Sequence, residues 1–104
     1  MTDKIIVLTT ASDKKEAEDI AWGLVERKLA ACVNILAAES VYRWKGEVES
    51  HPEHVLLIKT TATSFNDLCE ALTELSSYDV PECIQLNIEG GTPSYLEWIG
   101  ESLK

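Results

Sequence analysis

The stretch ESVYRWKGEVES, residues 39–50, decides how this chain folds. Tyr42 and Trp44 are two residues apart, so on a strand both side chains point to the same face. Lys45-Gly46 follows, and glycine readily takes the positive φ that a tight turn needs. The stretch therefore predicts a β-hairpin with two aromatic rings on one face and Val48 on its return strand.

Strand and helix patterns alternate on the N-terminal side of this hairpin. KIIVLTTA (residues 4–11) is an apolar run typical of a central strand. Residues 12–31 place apolar side chains at helical spacing, and Ser12 or Asp13, followed by Glu16, marks the start of that helix. ACVNIL (residues 31–36) then leads into the hairpin.

The same patterns recur after the hairpin. HVLLIKTT (residues 54–61) continues its return strand, with Pro52 marking a bulge or a break before it. Residues 63–79 have helical spacing, with Ser64 as the expected cap, and PECIQLNIEGG (residues 81–91) alternates as a strand. Thr92-Pro93 begins a short C-terminal helix.

The order βαββαβ, with one more helix at the end, predicts an α+β fold of the ferredoxin-like class. Right-handed crossovers give a four-stranded antiparallel sheet with two helices on one face. We interpret residues 1–104 as one domain. The open sheet face and the long central hairpin favour a partner subunit as their cover.

The charge of the chain restricts its partners. Lys and Arg total 9 against 18 Asp and Glu, a formal net charge of −9. Such a field repels nucleic acid and anionic membrane surfaces, and it leaves cations as partners. No apolar run approaches the roughly 18 residues that a membrane span needs.

The cysteines indicate a reducing environment. Cys32, Cys69 and Cys83 are odd in number and widely spaced, without a CxxC pair or a leading hydrophobic segment. Cys69 lies on the apolar face of its helix, where a free cysteine usually acts as a small hydrophobe. We therefore predict free thiols and a cytoplasmic location.

No catalytic motif is present. The only histidines, His51 and His54, lie in a loop-like stretch after the hairpin, away from any serine or cysteine motif that a base would activate. IEGGTPS (residues 88–94) lacks the lysine of a phosphate-binding loop. We expect a protein that is not an enzyme.

Metal binding has three candidate ligands, His51, His54 and Cys32. The two histidines have Glu47, Glu49 and Glu53 nearby, and imidazole with carboxylate suits a borderline divalent cation. The same residues are also typical of a solvated, charged turn.

SSYDVPE (residues 76–82) is the last unusual segment. It is either a turn that aims the final strand or a place where Tyr78, Asp79 and Glu82 meet a neighbouring subunit or a small ligand.

Five blocks resemble the CutA divalent-cation tolerance family in order and spacing: KLAACVNI (28–35), SVYRWKGEVE (40–49), LLIKTT (56–61), YDVPE (78–82) and YLEWI (95–99). The resemblance implies a ferredoxin-like subunit in a homotrimer, similar in plan to the PII signalling proteins. It also implies a role in tolerance of copper and other divalent cations, response to metal ions and metal homeostasis, without catalysis.

The resemblance carries over to this chain only in part. Family members often have a histidine just before the tyrosine of the YxxPE block, where this chain has Leu75-Ser76-Ser77, and a copper-associated cysteine on the first strand, where it has Thr9 and Thr10. The resemblance therefore implies no required cofactor, and at most weak binding of Cu²⁺ or another divalent cation. It implies an intersubunit ligand cleft formed by Cys32, Trp44, Lys59, Tyr78 and Glu82, and a trimer interface that includes Tyr42, Trp44 and Val48.

Three hypotheses follow. The first is a cytoplasmic homotrimer that contributes to divalent-metal tolerance. The second is a PII-like signalling or scaffold trimer that binds a small ligand or a partner protein in the cleft. The third is a trimer that anchors other proteins.

Overall fold

The computed structural model describes residues 2–104, and its elements follow the predicted order. A short 3₁₀ turn, Ala62–Ser64, precedes the second helix. The strands are β1 (Lys4–Ala11), β2 (Cys32–Trp44), β3 (Glu47–Thr61) and β4 (Ile84–Asn87), and the helices are α1 (Lys14–Glu26), α2 (Phe65–Leu75) and α3 (Pro93–Glu101). The ferredoxin-like βαββαβ order is confirmed.

The four strands form one antiparallel sheet in the order β2-β3-β1-β4. β2 and β4 are therefore its edges. β2 and β3 stay paired from Cys32 opposite Lys59 to Trp44 opposite Glu47, so their outer half projects beyond β1. This projection accounts for the elongated shape of 44 × 26 × 22 Å.

The core lies between the sheet and helices α1 and α2. Alternate residues of β1 are buried, beginning with Ile5 and Val7, because a strand presents every second side chain to one face. α1 begins at Asp13, whose Oδ1 accepts the amide of Glu16 at 2.8 Å. The core side chains are Ile5, Val7, Ala11, Ala17, Ile20, Leu24, Ala30, Leu56, Ile58, Leu68, Ala71 and Leu72.

The second sheet face is partly covered, which the sequence did not predict. α3 packs against β1 and β3 on that face, with Ile99 fully buried. Its Tyr95 ring lies 5.9 Å from Nζ of Lys59, which pairs with Ile6 on the same face. Leu86 on the edge strand remains 47% exposed, so the cover is incomplete.

The hairpin turn is confirmed. Lys45 has φ 50° and Gly46 has φ 84°, the left-handed pair that a two-residue hairpin turn requires. The predicted bulge or break at Pro52 is wrong, because β3 runs through it in unbroken register with β2. β1 ends opposite His54, so at Pro52 the strand has a neighbour on one side only, and a missing donor is tolerated there.

The prediction of free thiols holds only for Cys32. Cys69 on α2 and Cys83, one residue before β4, form a disulfide, with Cα atoms 6.2 Å apart. α2 turns the sulfur of Cys69 toward the place where the chain enters the edge strand. Sequence spacing could not reveal this pair, because connectivity depends on the fold.

Within residues 2–104, no helix combines the length and the apolar character that crossing a membrane requires.

Candidate functional site

A cleft of about 580 Å³ opens beside the base of the projecting hairpin. One wall is the outer part of β2, and the other is the segment between α2 and β4, residues 76–83, which we call the linker. The lining residues are Thr10, Ser40, Val41, Tyr42, Trp44, Glu53, Ser77, Tyr78, Asp79, Val80 and Glu82. Because this lining contains carboxylates but no lysine or arginine, its potential is negative.

Glu53 lies at the floor of the cleft and is only 9% exposed. The phenol of Tyr78 donates a hydrogen bond to its Oε2 at 2.5 Å, and Nε2 of His51 lies 3.4 Å from the same phenolic oxygen. Burial alone would raise the pKa of Glu53, but hydrogen bonding from Ser40 and Tyr78 outweighs burial and lowers that pKa. Glu53 is therefore a buried, ionised carboxylate.

Two further groups respond to this carboxylate. Burial, and then the charge of Glu53, raise the pKa of Glu82 above its ordinary value. Burial and the hydrogen bond to Glu53 raise the pKa of the Tyr78 phenol, so it stays protonated as a donor. The cleft thus combines a fixed anion, a proton donor and a carboxyl that accepts a proton more readily than usual.

The linker is held in place by α1. Ser77 donates its amide to Oε2 of Glu16 at 2.9 Å, while Oε1 of Glu16 accepts the amide of Ser12 at 2.9 Å. The carboxylate that was expected to cap α1 therefore also fixes the linker beside the cleft. The amide of Tyr78 donates to Oγ of Ser76, which closes a local turn.

The aromatic side chains of the opening stretch form the outer wall of the cleft. Tyr42 and Trp44 share one face of β2, as predicted, and both line the cleft. The Tyr42 ring meets the His51 ring edge-on, with centroids 6.3 Å apart. Val48 pairs with Arg43 and so lies on the opposite face from Trp44. The three predicted interface residues are all exposed, but they occupy two faces of the hairpin.

The five predicted cleft residues separate into two groups within one subunit. Trp44, Tyr78 and Glu82 line the cleft. Cys32 and Lys59 are paired at the far end of β2 and β3, and a strand from residue 32 to residue 44 spans about 40 Å. There Nζ of Lys59 donates to Oδ1 of Asn34 at 2.6 Å.

The three candidate metal ligands do not meet. His51 and His54 lie in β3 rather than in a loop, and being three residues apart on a strand they point to opposite faces. Cys32 lies at the start of β2. Within residues 2–104, no three His, Cys, Asp or Glu side chains are placed to hold a metal ion.

Sequence reasoning did not assign Glu53 or Glu16 to the cleft. Glu53 was named only as one of three carboxylates near the histidines, in a stretch that looked like a loop, and Glu16 was interpreted only as part of a helix cap. A signal for Glu53 was available: once the hairpin is paired, residues 49, 51 and 53 fall on the same face as Tyr42 and Trp44.

Comparison with known proteins agrees with the architecture. Residues 5–102 match the family model described as CutA1 divalent ion tolerance protein. The chain is 46% identical over 93 residues to the protein CutA homolog of Xenopus laevis, covering 88% of this chain and 62% of that protein. It is 45% identical over 98 residues to the divalent-cation tolerance protein CutA of Thermus thermophilus, covering 93% and 95% of the two chains.

A solved structure has the same fold over nearly the whole chain. The periplasmic divalent cation tolerance protein CutA from Archaeoglobus fulgidus superposes with a TM-score of 0.95 at 35% identity, covering 97% of this chain and 99% of that one. Some relatives are longer: the chain spans 62%, 56% and 57% of the proteins from Xenopus laevis, Arabidopsis thaliana and Oryza sativa, respectively. Because the family model matches nearly the whole length of this chain, the chain belongs to the CutA divalent-cation tolerance family.

Proposed function

We propose that this protein contributes to divalent-cation tolerance as a non-enzymatic homotrimer, and that it binds Cu²⁺ or a similar cation weakly through the cleft. The observation that carries the proposal is the ionised, buried Glu53 beside His51 in a cleft without basic residues. Imidazole and carboxylate are ligands that Cu²⁺ and Zn²⁺ accept. Because His51 lies beside the cleft while His54 lies on the other face of β3, we expect low affinity and no resident metal.

Two features of the surface support self-assembly. The outer hairpin exposes Val41 and Val48 at 70% and 64%, apolar area that a lone subunit leaves in water. β2 is also a long edge strand with one side unpaired, and such edges are usually covered. Edge pairing between copies would cover the unpaired strand, and packing of a second copy on the hairpin face would cover the two valines. Three copies are the number that the family resemblance implies.

We propose a cytoplasmic location on the basis of the free Cys32 and the acidic composition. The Archaeoglobus fulgidus relative is named periplasmic, and the disulfide in this chain is a second observation that fits an oxidising compartment. Fractionation of cells that produce the tagged full-length protein separates the two locations.

Calorimetric titration of the purified protein with CuCl₂ and ZnCl₂ tests the metal proposal. We expect saturable heat at high micromolar metal and none with MgCl₂, because Mg²⁺ prefers oxygen ligands in octahedral geometry. Heat that saturates only at millimolar Cu²⁺ and Zn²⁺ would rule out specific binding.

The second candidate is a PII-like scaffold whose cleft binds a small molecule or a partner protein. Its support is the size of the cleft, together with the Tyr42 and Trp44 rings on its wall. Ligand sites typically combine such apolar walls with a few polar groups. Native mass spectrometry of protein purified from its own cells tests this candidate, because a bound molecule adds a defined mass. A cleft that always purifies empty, together with saturable Cu²⁺ binding, would favour the first candidate.

A further inference from the structure

The linker is attached to the rest of the fold by few contacts. Residues 76–83 form neither helix nor strand, so no sheet ladder holds them. Ser77 is held by hydrogen bonding to Glu16, and Tyr78 is held by its hydrogen bond to Glu53 and by His51 beside its hydroxyl. Tyr78 and Glu82, the linker residues that shape the chemistry of the cleft, depend on these attachments.

The Cys69–Cys83 disulfide adds a covalent attachment between the C-terminal end of the linker and helix α2. The two cysteines are 14 residues apart, and the ring that they close contains the whole linker. Cys83 directly follows Glu82 in the chain, so the bond lies one residue from a group that lines the cleft.

Breaking this bond would leave the neighbouring elements with their own support. α2 buries Leu68 and Leu72 in the core independently of the bond. β4 keeps its paired register with β1, from Ile84 opposite Leu8 to Asn87 opposite Ile5. The linker lacks comparable packing, so the loss of order should concentrate there.

The bond lies beside exposed positions near a sheet edge. Cys69 and Cys83 are both half-buried rather than enclosed, and the adjacent Glu70 and Ile84 are exposed. Within the subunit β4 is an edge strand, so no further strand of the same chain screens the pair. Cys32 lies at the start of β2, on the other edge strand, and is free.

We propose that Cys69 and Cys83 form a reversible redox site that controls the wall of the cleft. In the disulfide state the linker is fixed with Tyr78 against Glu53. In the dithiol state the linker is released and the cleft loses that wall. This inference does not rest on the metal or ligand proposed above, since it concerns the order of the linker itself.

The reaction requires two reductant thiols, either on one dithiol or on two molecules of a monothiol such as glutathione. The first thiolate attacks one protein sulfur and forms a mixed disulfide, which releases the other protein sulfur as a thiolate. The second thiol of the reductant then attacks the mixed disulfide and releases the remaining cysteine. The protein gains two electrons and two protons, and the reductant leaves as its own disulfide.

Hydrogen–deuterium exchange of the full-length protein, with and without dithiothreitol, tests the proposal. We expect amides in the linker to exchange at least about tenfold faster after reduction, because local opening no longer has to strain a closed ring. The exchange rates of peptides from β1 and from the inner half of β3 should be unchanged. Equal linker exchange in both states, or acceleration throughout the core, would overturn the proposal.

Three variants sharpen the test. The double variant Cys69→Ser/Cys83→Ser should reproduce the fast linker exchange without reductant, whereas Cys32→Ser should match the unmodified protein in both states. Glu16→Gln, which weakens the attachment of Ser77 to Glu16, should accelerate linker exchange more in the reduced state than in the oxidised state. If Glu16→Gln accelerated linker exchange equally in the two states, the disulfide and the Glu16 contact would act independently. That result would overturn the proposal that the disulfide and the Glu16 contact hold the linker together.

Reversibility is tested separately, by thiol labelling after equilibration in glutathione buffers of graded ratio. A reversible site should convert between the two forms within the range of these buffers, and it should reoxidise when oxidised glutathione is restored. A bond that stays closed in reduced glutathione alone would be a permanent structural link and would overturn the proposal, as would three free thiols in protein kept in air.

Discussion

The phenolic hydroxyl of Tyr78 donates a 2.5 Å hydrogen bond to Glu53, joining the linker to the strand that returns from the hairpin. The two residues are 25 positions apart in the chain. One bond therefore links the only buried carboxylate side chain in residues 2–104 to the segment that forms the opposite wall of the cleft.

Removing this donor should destabilise the fold. Tyr78→Phe leaves the buried Glu53 charge with fewer partners, and losing a hydrogen bond to a charged group costs about 1.5 to 3 kcal/mol. We expect the free energy of unfolding to fall by about that amount at pH 7 in urea denaturation. Tyr95→Phe, on an exposed ring of α3 that stacks on Trp98, is the matched control and should change little. Equal stability of the two variants would contradict the role assigned to Tyr78.

The two carboxyls of the cleft should have opposite effects on the pH dependence of stability. The pKa of Glu53 is lowered in the fold, so its contribution is present above its unfolded pKa and is lost as pH falls through the folded value. The pKa of Glu82 is raised, so its contribution is present below its unfolded pKa and is lost as pH rises through the folded value.

Glu82→Gln should therefore be more stable than the unmodified protein at pH 7, and the difference should shrink toward about pH 4, where the unmodified carboxyl becomes protonated. Urea denaturation across this range measures the difference. Glu89→Gln, on an exposed residue just after β4, serves as the control. A pH-independent difference would show that Glu82 acts through packing rather than through its charge.

Trp44→Ala should weaken self-assembly more than it weakens the subunit. Trp44 is 40% exposed in the isolated chain. If the hairpin forms an interface, another copy buries this exposed part. Truncating an aromatic side chain that becomes fully buried costs about 3 to 5 kcal/mol. Sedimentation velocity should show dissociation at concentrations where the unmodified protein stays assembled. Trp22→Ala, on the outer surface of α1, should sediment normally, and identical behaviour of both variants would contradict the predicted interface.

The hairpin turn should be sensitive to the residue at Gly46. A Cβ added there meets no neighbouring atom, so any cost comes from its φ of 84° alone. Gly46→Ala should lower the free energy of unfolding by about 1 to 2 kcal/mol, the cost of the left-handed region for a residue with a side chain. Gly90→Ala, also without a close neighbour but without a positive φ, should be nearly neutral.

The two histidines should differ in their effect on metal binding. His51 lies next to Tyr78 at the side of the cleft, whereas His54 lies on the other face of β3. Titration with CuCl₂ should lose its saturable heat in His51→Ala and keep it in His54→Ala. Loss in both variants, or in neither, would place the metal elsewhere.

Local pattern was enough to predict the elements of the fold. The helical spacing of residues 12–31, the positive φ expected at Gly46 and the alternation of residues 81–91 each depend on neighbours in the chain, so the sequence could supply them. The family blocks predicted an intersubunit cleft of Cys32, Trp44, Lys59, Tyr78 and Glu82, and within one subunit only Trp44, Tyr78 and Glu82 line the same cleft. The continuity of β3 through Pro52 was missed. Proline lacks a backbone N–H, and a strand tolerates this only where no neighbouring strand needs that donor, which the sequence does not show.

The sequence alone therefore determined the order of strands and helices, the aromatic face of the hairpin and the negative charge of the molecule. Only the tertiary structure decided that Glu53 is buried beneath Tyr78, that His51 and His54 face apart, and that Cys69 pairs with Cys83. The physical reason is that burial and pairing depend on which residues meet through space. These contacts join positions as far apart as Glu16 and Ser77, for which no local pattern in the chain gives a signal.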